Sequence, residues 1–196
     1  MSKFNGVKTD NAPIAAKQQI RLSILDKIKS PRVCEVFCGT GEMYRSVWHK
    51  ADDYIGIDRR KFFDERKTIC GDAEKAIRKI NLNEYNIFDI DAYGSPYNIL
   101  SYIVQNRTEK GSVAFILTDG SAMDLRLGRV GKGLRELSGI KNHILKRASN
   151  VHDELIIEVV KNIEKITGKK SSNFVIAKGK TGAAMRYYAF VLNDAV

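Results

Sequence analysis

The chain has 196 residues, and no apolar run in it approaches the roughly 20 residues that a membrane-spanning helix needs, so neither a span nor a membrane anchor is expected. Its first residues, MSKFNGVKTDNAP, lack an apolar core and a small-residue cleavage site. That argues against a secretory signal and makes the cytoplasm the expected address. Cysteine is scarce: Cys34, Cys38 and Cys70 are an odd number without CxxC spacing, which fits buried or loop thiols in a reducing compartment. Histidine is equally scarce, and His49, His143 and His152 combine with those cysteines in no ligand spacing, so no metal site is expected. There is no internal repeat and no low-complexity segment. Acidic residues are the minority, 23 against 33 Lys and Arg, for a net charge of +10 and a pI near 9.5. Such a balance points to a polyanionic partner, nucleic acid first. Residues 120–150 carry seven basic side chains against two acidic ones and so supply half of the excess. They read either as a solvated face or as a basic insertion on the substrate side.

What is present is a core large enough for one domain over 1–196. Hydrophobic residues at 43% and charged ones at 29% are ordinary for a globular protein. A helical extension (1–30) opens with Asn11 as cap and Pro13 in the first turn, and carries Ile20, Ile24, Leu25 and Ile28 at helical spacing up to Ser30-Pro31. The period then changes. VCEVF (33–37), YIGID (54–58), TIC (68–70), YNIFDI (85–90) and SVAFILTD (112–119) read as strands. Helical segments lie between them at 42–50, 72–80 and 96–106, with Trp48 expected in the core. That alternation predicts an α/β fold, a Rossmann-like doubly wound and mostly parallel sheet. A long helix follows over 150–167, with Gly168 just past its end. NFVIA (173–177) and MRYYAFVL (185–192) are joined by a connection too short for a crossover helix. The seven-stranded sheet should therefore close with a C-terminal antiparallel hairpin.

The loop EVFCGTGEM after the first strand places Gly39 and Gly41 where open parallel sheets bind ligands. Tyr44 stands where a dinucleotide fingerprint would have its third glycine, and Phe37 precedes the turn, which argues against NAD or FAD. No Gly-Lys-Ser/Thr follows, so the loop is not a phosphate-cradling P-loop. Asp58 ends the second strand 17 residues after Gly41, where a carboxylate can accept both hydroxyls of a ribose. Asp72, after the third strand, can accept from an adenine amino group while Ala73 leaves room for the ring. Either aspartate alone reads more readily as a helix cap than as a ligand group. Together with Glu35 and the two glycines they describe an adenosine site without a phosphate site.

EVFCGTG, GID and GDA, in this order and spacing, resemble the class I S-adenosylmethionine-dependent methyltransferases. The resemblance implies S-adenosyl-L-methionine as cofactor, with Glu35 near the methionine amino group, Phe37, Gly39 and Gly41 passing the methionine moiety, Asp58 on the ribose, and Asp72 and Ala73 at the adenine. The terminal hairpin is also that family's mark.

In that family the fourth strand leads into the catalytic loop, here DIDAYGSPY (89–97). An exocyclic amine of a base is a poor nucleophile because its lone pair is delocalised into the ring. A carboxylate accepting its N–H concentrates density on nitrogen, and aromatic stacking holds the base in line. Asp91 with Tyr93 or Tyr97 supplies those parts; the bland alternative is a turn with two capping carboxylates. DIDAYGSP is similar to the Asp-Pro-Phe/Tyr-Gly-Ser-Pro loop of the tRNA guanine N2-methyltransferases, and FILTDGSAM (115–123) to the Thr-Asp stretch after their fifth strand. The likeness implies Asp91 as catalytic carboxylate, Tyr93 as loop aromatic and Pro96 ending the loop. Ala92 replaces the family's proline, and these residues carry none of the additional C-terminal domain with which that family grips tRNA. Asp119 is expected to be structural. With no cysteine nucleophile in the loop, cytosine-C5 chemistry is set aside. Arg126, Arg129 and Lys132 are expected to bind substrate phosphates, on a mobile segment that orders on RNA. The partner is thus expected to be nucleic acid, RNA favoured. A small-molecule or protein methyltransferase and a silent nucleic-acid-binding domain are the alternatives.

Overall fold

Residues 14–178 and 185–195 are described by the computed structural model. Apolar residues in short runs bounded by turns make seven strands: β1 (Arg32–Val36), β2 (Asp53–Asp58), β3 (Thr68–Cys70), β4 (Ile87–Asp91), β5 (Val113–Asp119), β6 (Lys169–Lys178) and β7 (Arg186–Asp194). They form one sheet in the order β3-β2-β1-β4-β5-β7-β6. The first five pair in parallel, and β7 runs antiparallel to both β5 and β6. The expected hairpin is there, and β7 is the reversed strand.

Among the described residues seven α-helices cover the sheet: α1 (Ile14–Leu25), α2 (Glu42–Ser46), α3 (Ala73–Ile77), α4 (Tyr97–Asn106), α5 (Ala122–Arg126), α6 (Lys132–Ser138) and α7 (His152–Thr167). Successive strand side chains point to opposite faces, so each strand feeds two cores. On one face Ile20 and Ile24 of α1, with Val47 and Trp48, pack on Val33, Ile87, Ile116 and Ala189. On the other, α3, α4, α6 and α7 bury Ile77, Leu100, Leu134 and Val159 against Cys34, Val36, Phe88 and Leu117. Phe88, Phe115 and Phe190 stack there across β4, β5 and β7 with centroids 5.7 and 5.3 Å apart. Each such pair is worth about 0.5–1.5 kcal/mol beyond its burial. Among the described residues no helix is long and apolar enough to cross a membrane.

Several boundaries differ from the sequence reading for local reasons. Asn11 and Pro13 lie outside the described residues. The first helix stops at Leu25, although Ile28 stays buried, because the chain tightens at Lys27, whose N–H bonds to the Ile24 carbonyl, and then turns through Ser30 at φ 51° ahead of Pro31. The helix expected over 42–50 breaks at Val47 (φ −133°, ψ −60°), after which Trp48–Lys50 form a 3₁₀ turn. Val47 and Trp48 are both fully buried, so the break serves packing. α7 ends as expected, with Gly168 in the left-handed region at φ 67°. β6 starts immediately after it, earlier than expected, and carries a register shift between Ser172 and Val175.

The basic segment is a correction. Residues 120–150 are not a loose strap: they form α5, α6 and a 3₁₀ turn (Ala148–Val151), with Leu125, Val130, Leu134 and Leu137 buried. Gly133 is required in α6, because a side chain there would come within 2.6 Å of the Asn98 backbone nitrogen at the start of α4.

Candidate functional site

The carboxyl end of β1 is shaped by three residues at positive φ: Phe37 (68°), Gly39 (48°) and Gly41 (83°). Phe37 and Cys38 both donate their N–H to the Ile57 carbonyl of β2, at 2.8 and 3.1 Å, which turns the chain out of the sheet. Gly41 sits at φ 83°, where a side chain is strained, and a β-carbon there would also crowd the Arg66 guanidinium at 2.6 Å. Arg66 is buried and holds the loop from beneath through the Cys38 and Gly39 carbonyls (3.3 and 3.1 Å) and both oxygens of Asp64.

Asp58 ends β2 beside this loop. One carboxylate oxygen accepts from Gly39 N–H and the other from Arg60 N–H, each at 2.9 Å. Each oxygen keeps a further lone pair, so the carboxylate can still accept two hydroxyls. Asp72 is the cap of α3, accepting from Lys75 N–H at 3.3 Å, and pairs with Arg59 at 3.2 Å. The capping reading of the sequence is thus the one seen for Asp72, and Ala73 beside it is buried. Glu35 lies under the loop rather than at its surface, 2% exposed, with the Tyr54 hydroxyl donating to it at 2.5 Å. Burial, and then the neighbouring Asp89 carboxylate, push its carboxyl up to about 8.

The end of β4 carries two carboxylates paired with two cations of α1. Asp89 is fully buried and accepts from Arg21 Nε (2.6 Å), Arg21 Nη2 (2.7 Å) and Trp48 Nε1 (2.9 Å). Two residues on, Asp91 accepts from Lys17 Nζ at 2.8 and 3.0 Å and lies 3.7 Å from Arg21 Nη2. Lys17 also stands 5.4 Å from the centre of the Tyr187 ring. Lys17 and Arg21 are one turn apart on α1, Asp89 and Asp91 one pleat apart on β4, so two residues of each element meet on one face. Burial opposes ionisation of Asp91, but Arg21 and Lys17 hold it below the usual carboxylate range. Its side chain is 19% exposed, which leaves it reachable at the strand end.

Beyond Asp91, Ala92 is buried and Tyr93 projects into solvent, 76% exposed. The bend is fixed by Gly120 after β5, whose N–H donates to the Gly94 carbonyl at 2.9 Å. A β-carbon on Gly120 would approach the Tyr93 carbonyl to 2.3 Å. Pro96 is buried and opens α4. Tyr97 is another correction: it is fully buried and donates to Asp119 at 2.5 Å, so its ring is not offered to a substrate. Asp119 also accepts from His152 Nε2 (2.7 Å) and Ser121 N–H (2.8 Å), a closed buried cluster on the opposite face from Asp91. That agrees with the structural role expected for Asp119. Arg126, Arg129 and Lys132 are exposed on the segment that follows β5. Lys132 pairs with Glu136 at 3.7 Å.

The structure therefore gathers Phe37, Gly39, Gly41, Asp58, Asp91 and Tyr93 at one end of the sheet, with Asp72 and Ala73 beyond β3. Glu35, Pro96 and Tyr97 are withdrawn into the interior. Sequence reasoning missed Lys17, Arg21, Tyr54 and Arg66. Lys17 and Arg21 lie four apart on α1, with Arg21 on its buried face, and nothing in that spacing names their partners.

No protein-family model matches the chain, and no curated protein is similar to it in sequence. Solved structures are similar. A complex of Trm1 from Pyrococcus horikoshii with S-adenosyl-L-methionine is 12% identical, with a TM-score of 0.59 over 96% of this chain and 57% of that one. The plantazolicin methyltransferase BpumL, in complex with a monoazolic desmethylPZN analogue and SAH, is 12% identical with a TM-score of 0.54, over 94% of this chain and 84% of that one. Magnesium protoporphyrin IX methyltransferase from Synechocystis PCC 6803, with bound SAH, is 10% identical with a TM-score of 0.55, over 97% and 90%. At such identities the likeness is one of fold, and the fold is the Rossmann-like one of the S-adenosylmethionine-dependent methyltransferases.

Proposed function

We propose that the protein is an S-adenosylmethionine-dependent methyltransferase that acts on an exocyclic amine of a nucleic-acid base, with N2 of a tRNA guanine as the favoured target. The observation that carries this reading is the position of Asp91. It is an ionised, partly exposed carboxylate at the end of β4, next in the sheet to the glycine loop of β1 and followed by an exposed tyrosine. The residues at the loop fit the cofactor. Asp58 has lone pairs left for the ribose hydroxyls, and Gly39, beside which a β-carbon would meet only the Phe37 carbonyl at 3.9 Å, leaves the backbone open to close approach. The cofactor, when bound, supplies a methyl group already activated by its sulfonium.

The rest falls to this chain's own side chains. Asp91 accepts an N–H of the target amine and raises the electron density on nitrogen. Because Lys17 and Arg21 hold it ionised, it acts as a hydrogen-bond acceptor through neutral pH and carries no proton beforehand. Tyr93 stacks on the base and fixes its plane, and the exposed Arg126, Arg129 and Lys132 hold phosphates. The neighbours named for plantazolicin and for magnesium protoporphyrin IX show that the fold serves unlike substrates, so the choice of base amine rests on the loop DIDAYGSP. A second reading, a nucleic-acid-binding domain without catalysis, is favoured by one observation: Lys17 sits on the Asp91 carboxylate. Incubation with methyl-labelled cofactor and separate pools of tRNA, rRNA, DNA and protein, followed by nucleoside analysis, tests the proposal. Label in N2-methylguanosine from tRNA supports it. Label confined to protein, or none anywhere while tRNA is bound, contradicts it.

A further inference from the structure

We infer that the β2–β3 loop is a contact for unpaired RNA, with Phe63 stacking on a base and Arg60 and Lys61 facing phosphates. The inference rests on the nucleic-acid reading of the site above and names a part of that surface outside the catalytic loop. The loop reads Asp58-Arg-Arg-Lys-Phe-Phe-Asp-Glu-Arg-Lys67. Phe63 is 88% exposed, the most exposed of the large apolar side chains among the described residues, whereas Phe88, Phe115 and Phe190 are buried to 2% or less. Nothing about the loop's attachment forces that exposure, because both of its ends are tied down. Asp58 is bonded to Gly39 and Arg60, and Cys70 Sγ reaches the Arg59 carbonyl. Arg66 is fixed by Asp64 and the glycine loop, and its guanidinium lies over the Phe62 ring, 5.2 Å from Cζ to ring centre. Phe63 is thus held out at the apex of an anchored loop.

The charge around it is complementary to a phosphodiester. Arg59, Arg60 and Lys61 are exposed, with Lys61 Nζ 4.8 Å from the centre of the Phe63 ring. The acids of the loop are mostly engaged, Asp58 by backbone N–H groups and Asp64 by Arg66, which leaves Glu65 as the opposing charge. An aromatic face edged by cations is how single strands are gripped irrespective of sequence: every base has a face to stack, and the backbone follows the charge. The place is also right. In the sheet β2 and β4 flank β1, so Phe63 and the 76%-exposed Tyr93 stand on loops at either side of the glycine loop. A base held at Tyr93 would have neighbouring nucleotides passing toward Phe63.

The test uses the whole chain and a fluorescein-labelled, unstructured RNA of about 12 nucleotides, within the usual site sizes for single strands, read by anisotropy. Phe63→Ala should weaken binding roughly 5- to 150-fold, while Phe63→Trp stays within a few-fold of the wild type. In Phe63→Trp the new indole should be quenched on adding RNA, beyond any change from Trp48, which is buried and is the chain's single native tryptophan. Replacing Arg60 and Lys61 with alanine should flatten the log–log salt slope by about 1.4 units. Phe63→Ala with wild-type affinity, an unquenched Phe63→Trp, or Phe63-dependent binding to poly-L-glutamate in place of RNA would each overturn the inference. Because methyl transfer is not read, the two proposals fail separately. Phe63-dependent RNA binding without methyl transfer removes only the catalytic reading, and methyl transfer with Phe63→Ala binding normally removes only this one.

Discussion

The two faces of the sheet treat their buried acids differently. On the α3–α4–α7 face, among the described residues, a single buried aspartate, Asp119, is enclosed by Tyr97, His152 and Ser121, all of them buried. On the α1–α2 face three acids lie side by side, and their exposure rises from Asp89 at 0% through Glu35 at 2% to Asp91 at 19%. The cations that balance the two aspartates come from one turn of α1, while Glu35 is held by the Tyr54 hydroxyl. A closed cluster can only hold the fold together. An ion-pair ladder that surfaces at a strand end also places a charge where a ligand can meet it. The contrast between Asp89 and Asp91, two residues apart, is that between a carboxylate closed under α1 and one that reaches the strand end, where the proposed site lies.

The sharpest way to break this contrast is Asp89→Ala. It strands the buried Arg21 guanidinium and the Trp48 N–H, and removing one partner of a buried pair costs about 3–5 kcal/mol. For a chain of this size that lowers the melting temperature by roughly 6–20 °C, measurable by calorimetry. Asp91→Ala should shift it far less, since Lys17 is 13% exposed and can turn to water. Equal losses for the two variants would erase the division between them.

Next in size is the pH dependence of Glu35. Its folded value of about 8 lies above the unfolded value of about 4.3, so the fold binds the extra proton between them. The stability contributed is full below about pH 4.3 and is lost as pH rises through about 8. Glu35→Gln should flatten the fall in melting temperature across that window, and an unchanged slope would mean that Glu35 is ionised in the fold.

The smallest effect concerns the closed face. Asp119 is held below the usual carboxylate range: burial opposes this, and the His152 hydrogen bond leads the groups that outweigh it. Its contribution is present above about pH 4 and is lost as pH falls through its folded value. Asp119→Asn should therefore lower stability by about 1–3 kcal/mol at neutral pH, with the difference from wild type shrinking in acid, and without changing ligand affinity.

Much of this was legible in the chain. The strands from VCEVF to SVAFILTD, the closing hairpin, Gly168 and the burial of Trp48 follow from period and turn chemistry, which are local. Asp72 as a cap was one of two local readings, and the structure shows that one. What was hidden depends on long separations. Lys17 meets Asp91 and Arg21 meets Asp89 across 74 and 68 residues, so no spacing along the chain announces either pair. Tyr97 was misassigned because it follows a loop that reads as catalytic. Its own phase, with Leu100 and Val104 on the buried side of α4, places it in the core. The basic segment looked mobile because glycines interrupt its apolar positions. Gly133 proves to be a packing requirement against α4, where no side chain fits.

The central claim, that the glycine loop with Asp58 holds the cofactor while Asp91 faces the amine, is tested most directly by one calorimetric series. S-adenosylhomocysteine is titrated into the wild type, Asp58→Ala and Asp91→Ala. The account predicts binding to the wild type, a loss of roughly 10- to 150-fold for Asp58→Ala as charge-assisted hydrogen bonds go, and an affinity within a few-fold of wild type for Asp91→Ala. No heat from folded wild-type protein at about millimolar ligand, or a larger loss for Asp91→Ala than for Asp58→Ala, would contradict it.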